Sequence, residues 1–171
     1  QGQLLGITYG LNTHTVFYNK DLFNEAGLAY PKDNWTWDDA MRIAKTMTTD
    51  KDGDGTPDRW GIEVSVPQMA WNYGGDVYSA DGRTIMINRP ATIKTLQLLA
   101  DIRNGTAGVT PPSALGLGDG KTQVAKGHTA MSHRGVFDVS YFLQNSEYDW
   151  DVVGMPAMVT DDGARHRATF Y

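Results

Sequence analysis

Alternating acidic residues form the most conspicuous chemical motif of this 171-residue chain. In the stretch DKDGDGTPDRWG, residues 50–61, an aspartate occupies every second position and Gly55 follows the third aspartate. This spacing matches an EF-hand-type loop, in which alternate oxygens converge on a calcium ion and a glycine makes the sharp turn. The predicted oxygen ligands are the side chains of Asp50, Asp52, Asp54 and Asp58 and the main-chain carbonyl of Thr56.

The end of this acidic loop departs from the calcium pattern. EF-hand loops end on a bidentate glutamate, but Gly61 stands at that position and Glu63 comes two residues later in a predicted strand. A helix–loop–strand arrangement lacks the second helix that a calcium sensor moves, so we predict a structural calcium site. Two alternatives stay open: an Asp/Gly turn without metal, and a calcium-dependent interaction module.

A second motif combines aromatic rings, an amide and glycines in residues 68–82, QMAWNYGGDVYSADG. Sugars present flat C–H faces to aromatic rings, while their hydroxyls need side chains that donate and accept hydrogen bonds. Trp71, Asn72 and Tyr73 offer both, and aromatic residues make up 11% of an otherwise polar chain. We therefore predict carbohydrate contacts in this segment. The alternative is a core tryptophan beside a glycine turn.

A third group of candidate residues lies in AMSHRGVFD, residues 130–138, where Arg134 and Phe137 flank Gly135. The pattern predicts a strand followed directly by a helix. In open α/β sheets the turn between such elements usually faces the ligand. Arg134 and Phe137 are therefore candidate ligand-binding residues, and the alternative is that Arg134 is a solvated or interdomain ion-pair residue.

The sequence lacks the residue patterns that most enzyme classes need. There is no cysteine, no G-x-S-x-G and no H-E-x-x-H motif, and the four histidines are scattered. GLGDGKT at residues 116–122 imitates a phosphate loop but is one residue too short and follows a proline pair. A net charge of −5 gives no reason to expect nucleic acid. We predict a protein that is not an enzyme; a carbohydrate-active enzyme with two opposed carboxylates is the alternative.

Helical and strand patterns alternate along the chain, which predicts an α/β layered domain. Short strands are predicted at residues 4–11, 60–66, 84–88 and 128–135, and a long Pro/Gly loop of the functional type at residues 108–120. Thr36 is a predicted N-cap. The helix after it is expected to bury Trp37, Met41, Ala44 and Met47. A later helix with Pro90 in its first turn is expected to bury Ile93, Leu96, Leu99 and Ile102.

The order of these motifs resembles a known family. YGLNTHTVFYNKDLFNEAGL, NWTWDDAMRIAKTMT, the acidic loop, WNYGGDVYSADG and GHTAMSHRGVF occur in the order found in extracellular solute-binding proteins of carbohydrate ABC transporters, the maltose-binding-protein-like family. The resemblance runs from about Leu5 to about Met158. It implies that residues 1–171 form a single α/β lobe of a two-lobed periplasmic-binding-protein-like fold. The first lobe, the secretion signal and the C-terminal helices are expected to lie outside them.

The resemblance also implies a function and roles for individual residues. It implies capture of a carbohydrate in an interlobe cleft and delivery to the membrane permease of an ABC transporter, with an oligosaccharide favoured by the aromatic content. The implied location is extracellular, as a membrane-associated lipoprotein or in the periplasm. The acidic loop recurs in the family away from the cleft. The implied ligand-binding positions are Asn12 and Thr13, where the family usually has a proline turn, the segment of Trp71, Asn72 and Tyr73, the sugar-stacking position Phe137, and its neighbour Arg134.

Overall fold

The computed structural model describes Gly10 and residues 12–64, 77–103, 108–112, 115–159 and 163–166. Its strands are β1 His14–Asn19, β2 Trp60–Glu63, β3 Thr129–Gly135, β4 Trp150–Gly154, β5 Met158–Val159 and β6 Arg165–His166. Its helices are α1 Lys20–Glu25, α2 Trp37–Met47, α3 Pro90–Arg103, α4 Gly120–Ala125 and α5 Val139–Asn145. None of these described helices has the length and apolar character needed to cross a membrane. The predicted α/β class is confirmed.

Four strands form one sheet in the order β2-β3-β1-β4. β2 runs parallel to β3, whereas β1 runs antiparallel to both β3 and β4. In this register Thr15 lies opposite Arg134 on one side and Gly154 on the other. The carboxyl ends of β2, β3 and β4 and the amino end of β1 therefore meet at one edge of the sheet, called here the carboxyl edge.

Side chains of β1 alternate between two hydrophobic clusters, as the pleat of a strand requires. Val16 and Tyr18 belong to the larger cluster with residues of α1 and α2, whereas Phe17 packs with α4 and α5. The Phe17 ring stacks on the Phe142 ring at a centroid distance of 4.5 Å. Because helices cover both faces of the sheet, β1 is a buried central strand.

The start of α2 agrees with the sequence prediction. Thr36 accepts a hydrogen bond from the Asp39 amide through its side chain, and the Asp39 carboxylate accepts one from the Thr36 amide. This reciprocal capping satisfies two backbone donors that a helix start otherwise leaves open. Of the predicted stripe, Trp37, Ala44 and Met47 are buried and Met41 is half-buried against the core.

The predicted buried face of α3 is half wrong. Leu99 and Ile102 are buried, but Ile93 is 52% exposed and Leu96 is 46% exposed. Their places are taken by two buried threonines, Thr92 and Thr95. The Thr95 hydroxyl donates to the Ala91 carbonyl at 3.1 Å, which meets its hydrogen-bonding need inside the helix and makes its burial inexpensive. Because a hydrophobic pattern counts threonine as polar, the predicted buried face of α3 differs from the observed face by about one residue.

The predicted strand at residues 84–88 is also wrong. Ile85 forms an isolated bridge with Tyr78, and the Ser79 amide donates to the Thr84 carbonyl at 2.8 Å to close a turn. The Asp81 carboxylate accepts from the Ser79 hydroxyl and holds that turn. No described strand pairs with this segment, so its alternating pattern does not extend into a sheet. The strand predicted at residues 4–11 lies outside the described residues except for Gly10.

A glycine controls the contact between α2 and β2 and gives a stability prediction. A Cβ atom at Gly61 would overlap the backbone of Ala44. Gly61→Ala should therefore lower the free energy of unfolding by about 1–3 kcal/mol, the usual cost of overpacking, in urea titrations followed by tryptophan fluorescence. Gly10→Ala is the matched control, because no atom lies within 4 Å of its Cβ position. Equal stability of the two variants would contradict this packing.

Candidate functional site

Phe137 projects from the carboxyl edge on a short 3-10 turn, Val136–Asp138, which directly follows β3. The Val136 amide donates to the Thr13 carbonyl at 3.0 Å, so the turn is fixed to the residue that precedes β1. The Phe137 side chain is 61% exposed, although phenylalanine is normally buried. The fold thus brings Thr13 and Phe137, two predicted ligand-binding residues, to one place.

The Phe137 ring is fixed in place by contacts with Gly135 and His14. A Cβ atom at Gly135 would overlap the ring, so the ring packs directly on the Gly135 backbone. The His14 ring meets it edge-to-face, with centroids 6.5 Å apart and planes at 83°. An aromatic ring supported in this way and open to solvent is suited to stack on a flat ligand surface.

Two buried histidines support this arrangement. His14 Nδ1 lies 3.0 Å from His133 Nε2, a pairing between neighbouring strands. Burial lowers the pKa of His14, the charge of Arg134 lowers it further, and Asp138 opposes the shift. The sequence analysis missed this pair, because the two residues stand 119 positions apart and only the register of β1 and β3 joins them.

Arg134 takes part in an ion-pair network within this lobe, whereas its alternative predicted role was that of a solvated or interdomain ion-pair residue. Its Nε donates to Asp138 Oδ2 at 2.8 Å, and a terminal guanidinium nitrogen lies 3.9 Å from Asp119 Oδ2. Lys121 Nζ lies 3.6 Å from Asp119 and 3.7 Å from Asp138. Burial raises the pKa of Asp119, but hydrogen bonds from Thr122 and the two cations hold it below its usual value. The two cations and the two carboxylates balance each other.

A cavity of about 640 Å³ opens beside Arg134 at the carboxyl edge. Its lining includes Glu63 at the end of β2, and residues of the Pro/Gly loop that the sequence analysis marked as functional. Glu63 Oε2 accepts a hydrogen bond from the Ser132 hydroxyl at 2.7 Å. A Cβ atom at Gly120 would overlap both oxygens of this pair, so the start of α4 packs closely against it. Two acidic side chains, Glu63 and Asp119, line the cavity together with Arg134.

Asn12 lies at the same edge, just before β1. Its side-chain oxygen is buried and makes no hydrogen bond to the described residues. A buried acceptor without a partner costs free energy, and this oxygen is closed off from the surface of the lobe. Trp71, Asn72 and Tyr73, the other predicted ligand-binding residues, lie outside the described residues.

The acidic loop leads into the amino end of β2, at the edge of the sheet opposite to Phe137. Carboxylate oxygens of Asp50, Asp52 and Asp58 all lie within 4.8 Å of one another. Asp54 is not in this cluster, and its carboxylate accepts from the Thr56 amide at 2.7 Å. The structure therefore gathers three of the four predicted carboxylates at one point.

The loop also has internal support. Asp50 accepts from the Gly53 amide at 2.7 Å and from the Gly55 amide at 2.9 Å. These two bonds, that from Gly55 first, lower the pKa of Asp50. Lys51 and Arg59 both contact Glu25, which joins the loop to the end of α1. The gathered carboxylates fit a hard cation that prefers oxygen ligands.

The histidine pair predicts a pH dependence of folding stability. The pKa of His14 is lowered in the folded protein, so the unfolded chain binds more protons below about pH 6.5 and stability falls as the pH drops. His14→Asn keeps a hydrogen-bonding group near the Nδ1 position. It should lose less stability than wild type between about pH 7 and pH 5.5, measured by urea unfolding. Equal slopes for wild type and His14→Asn would contradict the assignment.

Comparisons with known proteins agree with this architecture. The family described as bacterial extracellular solute-binding protein matches residues 6–166. The sn-glycerol-3-phosphate-binding periplasmic protein UgpB of Agrobacterium fabrum is 27% identical over 113 residues, which cover 61% of this chain and 26% of that protein. The chain thus spans about a quarter of the curated relative that it matches.

Solved structures show the same fold. The ABC substrate-binding protein Lmo0181 from Listeria monocytogenes, solved in complex with cycloalternan, is 27% identical with a TM-score of 0.78. That match covers 93% of this chain and 39% of the other. The maltose/maltodextrin-binding domain MalE from Bdellovibrio bacteriovorus, bound to maltotriose, shares the fold with a TM-score of 0.70 at 22% identity, over 93% of this chain and 40% of its own. By its sequence and its single-lobe architecture, this chain belongs to the bacterial extracellular solute-binding protein family.

Proposed function

We propose that this chain forms one wall of a cleft that captures a carbohydrate for an ABC import system, without catalysis. The observation that carries the proposal is the exposed Phe137 ring, which packs on Gly135 at the carboxyl edge. A stacking surface needs an aromatic ring that is both accessible and fixed, and Phe137 meets both conditions. The names of similar proteins refer to two ligand classes: the saccharides cycloalternan and maltotriose, and the phosphate ester sn-glycerol-3-phosphate.

Polar groups beside the ring are proposed to bind the sugar hydroxyls. Asn12 and Thr13, which directly precede β1 at this edge, are proposed to add polar contacts next to the ring. Arg134 is held by Asp138 and presents a pre-oriented guanidinium at the same edge. Trp71, Asn72 and Tyr73 are proposed to complete the aromatic surface. Ring stacking then supplies affinity, and the hydrogen bonds supply orientation.

The chain spans about two fifths of the solved relatives described above, so the second wall of the cleft is proposed to belong to another lobe. Closure of two lobes around a ligand is a hinge motion, and the ligand favours the closed state because that state makes more contacts with it. We propose that a membrane permease of an ABC transporter recognises this closed state. For a family described as extracellular, we propose a periplasmic or a membrane-associated lipoprotein location.

The stacking role of Phe137 is testable in the full-length protein by calorimetric titration with maltose, maltotriose and D-mannitol. Phe137→Ala should weaken binding of the sugar that binds by at least about tenfold, because a ring at the centre of a contact is a typical hot spot. Phe137→Trp should retain binding. Leu143→Ala is the matched control, because Leu143 is also an exposed apolar residue but lies on α5. If Phe137→Ala binds as wild type does, the proposed stacking surface is wrong.

We also propose that the acidic loop binds a structural calcium ion. The gathered oxygens of Asp50, Asp52 and Asp58 support this, and the Thr56 carbonyl and Asp54 stay predicted ligands. Calcium bound there would neutralise part of the exposed negative charge and hold the connection between α2 and β2.

Removal of calcium provides the test. EDTA should lower the melting temperature by several degrees, because a ligand that binds only the folded state stabilises it. Asp50→Asn should abolish this effect. Asp81→Asn, which changes an exposed turn aspartate outside the loop, should retain it. A melting curve that EDTA leaves unchanged would contradict the proposed structural calcium site.

A further inference from the structure

We propose that Arg134 and Asp119 bind one hydroxyl group of the ligand between them, with Asp138 as the positioning residue for the guanidinium. In this subsite the hydroxyl oxygen accepts a hydrogen bond from Arg134 Nη2, and the hydroxyl donates its own proton to Asp119 Oδ2. The inference rests on the proposed function and deepens it, because it names a chemical group that the cavity at the carboxyl edge recognises. Arg134 and Asp119 both line that cavity.

The Arg134 guanidinium keeps unused hydrogen-bond donors. Its side chain is only 16% exposed, and its Nε donates to Asp138 Oδ2 at 2.8 Å. Nη2 lies 3.9 Å from Asp119 Oδ2, which is too long for a hydrogen bond. None of the described residues accepts a hydrogen bond from either terminal nitrogen. Because polar groups in such protected places normally have partners, these N–H groups indicate a partner inside the cavity.

Asp119 has a matching unused acceptor. Its Oδ1 accepts from the Thr122 amide at 3.1 Å and from the Thr122 hydroxyl at 2.8 Å, which fixes the carboxylate at the start of α4. Its Oδ2 lies 3.6 Å from Lys121 Nζ and 3.9 Å from Arg134 Nη2, so no residue that the structure describes donates a hydrogen bond to it. The Asp119 side chain is 47% exposed, so a ligand in the cavity can reach this oxygen.

The gap between these two atoms fits a group that both donates and accepts. One oxygen at hydrogen-bonding distance from each atom can bridge their separation of 3.9 Å. A hydroxyl has an O–H donor and lone pairs on the same oxygen, whereas a carboxylate has no proton to donate and an ammonium has no lone pair. Each of the two hydrogen bonds has one charged partner, and such bonds are stronger than neutral ones.

Asp138 fixes the orientation of the guanidinium. It stands directly before α5, where an aspartate often caps a helix, but its side chain makes no capping bond. It ends the 3-10 turn with helical backbone angles, φ −80° and ψ −7°, and its carboxylate meets Arg134 Nε instead of the α5 amides. Lys121 Nζ lies 3.7 Å from its other oxygen. Because Asp138 occupies Nε, the terminal nitrogens are the donors that remain for a ligand.

Analogues of the ligand test the subsite in the full-length protein by calorimetric titration. The probes are the compound that binds most tightly among maltose, maltotriose and D-mannitol, and its monodeoxy and monofluoro analogues. Removal of one particular hydroxyl should weaken binding at least about tenfold, because it leaves two charged groups without their partner. Fluorine at the same position should not restore binding, since it has no proton for Asp119. If every monodeoxy analogue binds within about threefold of its parent, the inference is wrong.

A substitution that reverses one hydrogen-bonding role assigns the subsite to Asp119. Asp119→Asn keeps the cap of α4, since asparagine caps as well as aspartate, but it puts an amide donor in place of Oδ2. Loss of the sensitive hydroxyl should then cost no more than about threefold. The matched control is Asp149→Asn, which removes an exposed aspartate paired with Lys20 at the amino end of β4 and should keep the tenfold penalty of about the wild-type size. An undiminished penalty in Asp119→Asn overturns the assignment.

Two substitutions of Asp138 test its positioning role. Asp138→Asn keeps an oxygen that accepts from Arg134 Nε, so it should retain most of the hydroxyl penalty, whereas Asp138→Ala should reduce the penalty to about threefold. Should Asp138→Ala fail to fold, Arg134→Lys removes the same terminal nitrogens and should give the same reduction. If Asp138→Ala or Arg134→Lys lowers the melting temperature of the unliganded protein but leaves the penalty unchanged, Asp138 and Arg134 have a structural role alone and the inference is overturned.

The outcomes separate this inference from the function that it rests on. A sugar that binds without one critical hydroxyl overturns the inference and leaves carbohydrate capture in place. If none of a wide panel of neutral mono- and oligosaccharides binds, the proposed function itself is wrong and the inference fails with it.

Discussion

The register of β1 is the constraint on which the rest of the structure depends. This strand is buried on both faces and pairs with a neighbour on each side, so Val16 and Phe17 must point to opposite hydrophobic clusters. A slip of one residue would exchange the two faces and expose both clusters. The same register sets His14 opposite Gly135 and thereby fixes what lies beneath the Phe137 ring. Core packing and site geometry therefore have a common origin.

Local signals in the sequence were sufficient for the elements whose ends are chemically marked. Thr36 and Asp39 cap α2 as a pattern of this kind predicts, because every group involved is within three residues. The buried face of α3 was misjudged because the environment of Thr92 and Thr95 depends on tertiary packing. Ile85 alternates like a strand residue but has no neighbouring strand among the described residues. Hydrophobic periodicity shows which secondary structure a segment can form, but the neighbouring segments determine which structure it adopts.

The candidate site was predictable only in part, for a physical reason. Phe137 and Arg134 were predicted as site residues because the chain turns directly after a strand, which is a local feature. The cavity was not, because Glu63 and Ser132 meet across 69 positions of sequence. Asp138 is close in sequence to Arg134, but its capture of the guanidinium depends on the 3-10 turn that precedes α5. Long-range pairings of this kind are properties of the sheet order rather than of any segment.

A Cβ atom would overlap a neighbour at several of the described glycines, among them Gly61 beneath α2, Gly120 against the Glu63–Ser132 pair, and Gly135 beneath the Phe137 ring. A methyl group would meet backbone atoms at Gly61 but side-chain atoms at Gly120 and Gly135, so the first position leaves its neighbour the least room to move. Gly61 serves the buried contact between α2 and β2, whereas Gly120 and Gly135 lie against side chains at the carboxyl edge. An engineer who wishes to convert this lobe into a sensor for another solute should therefore vary the side chains at the carboxyl edge and leave these glycines unchanged.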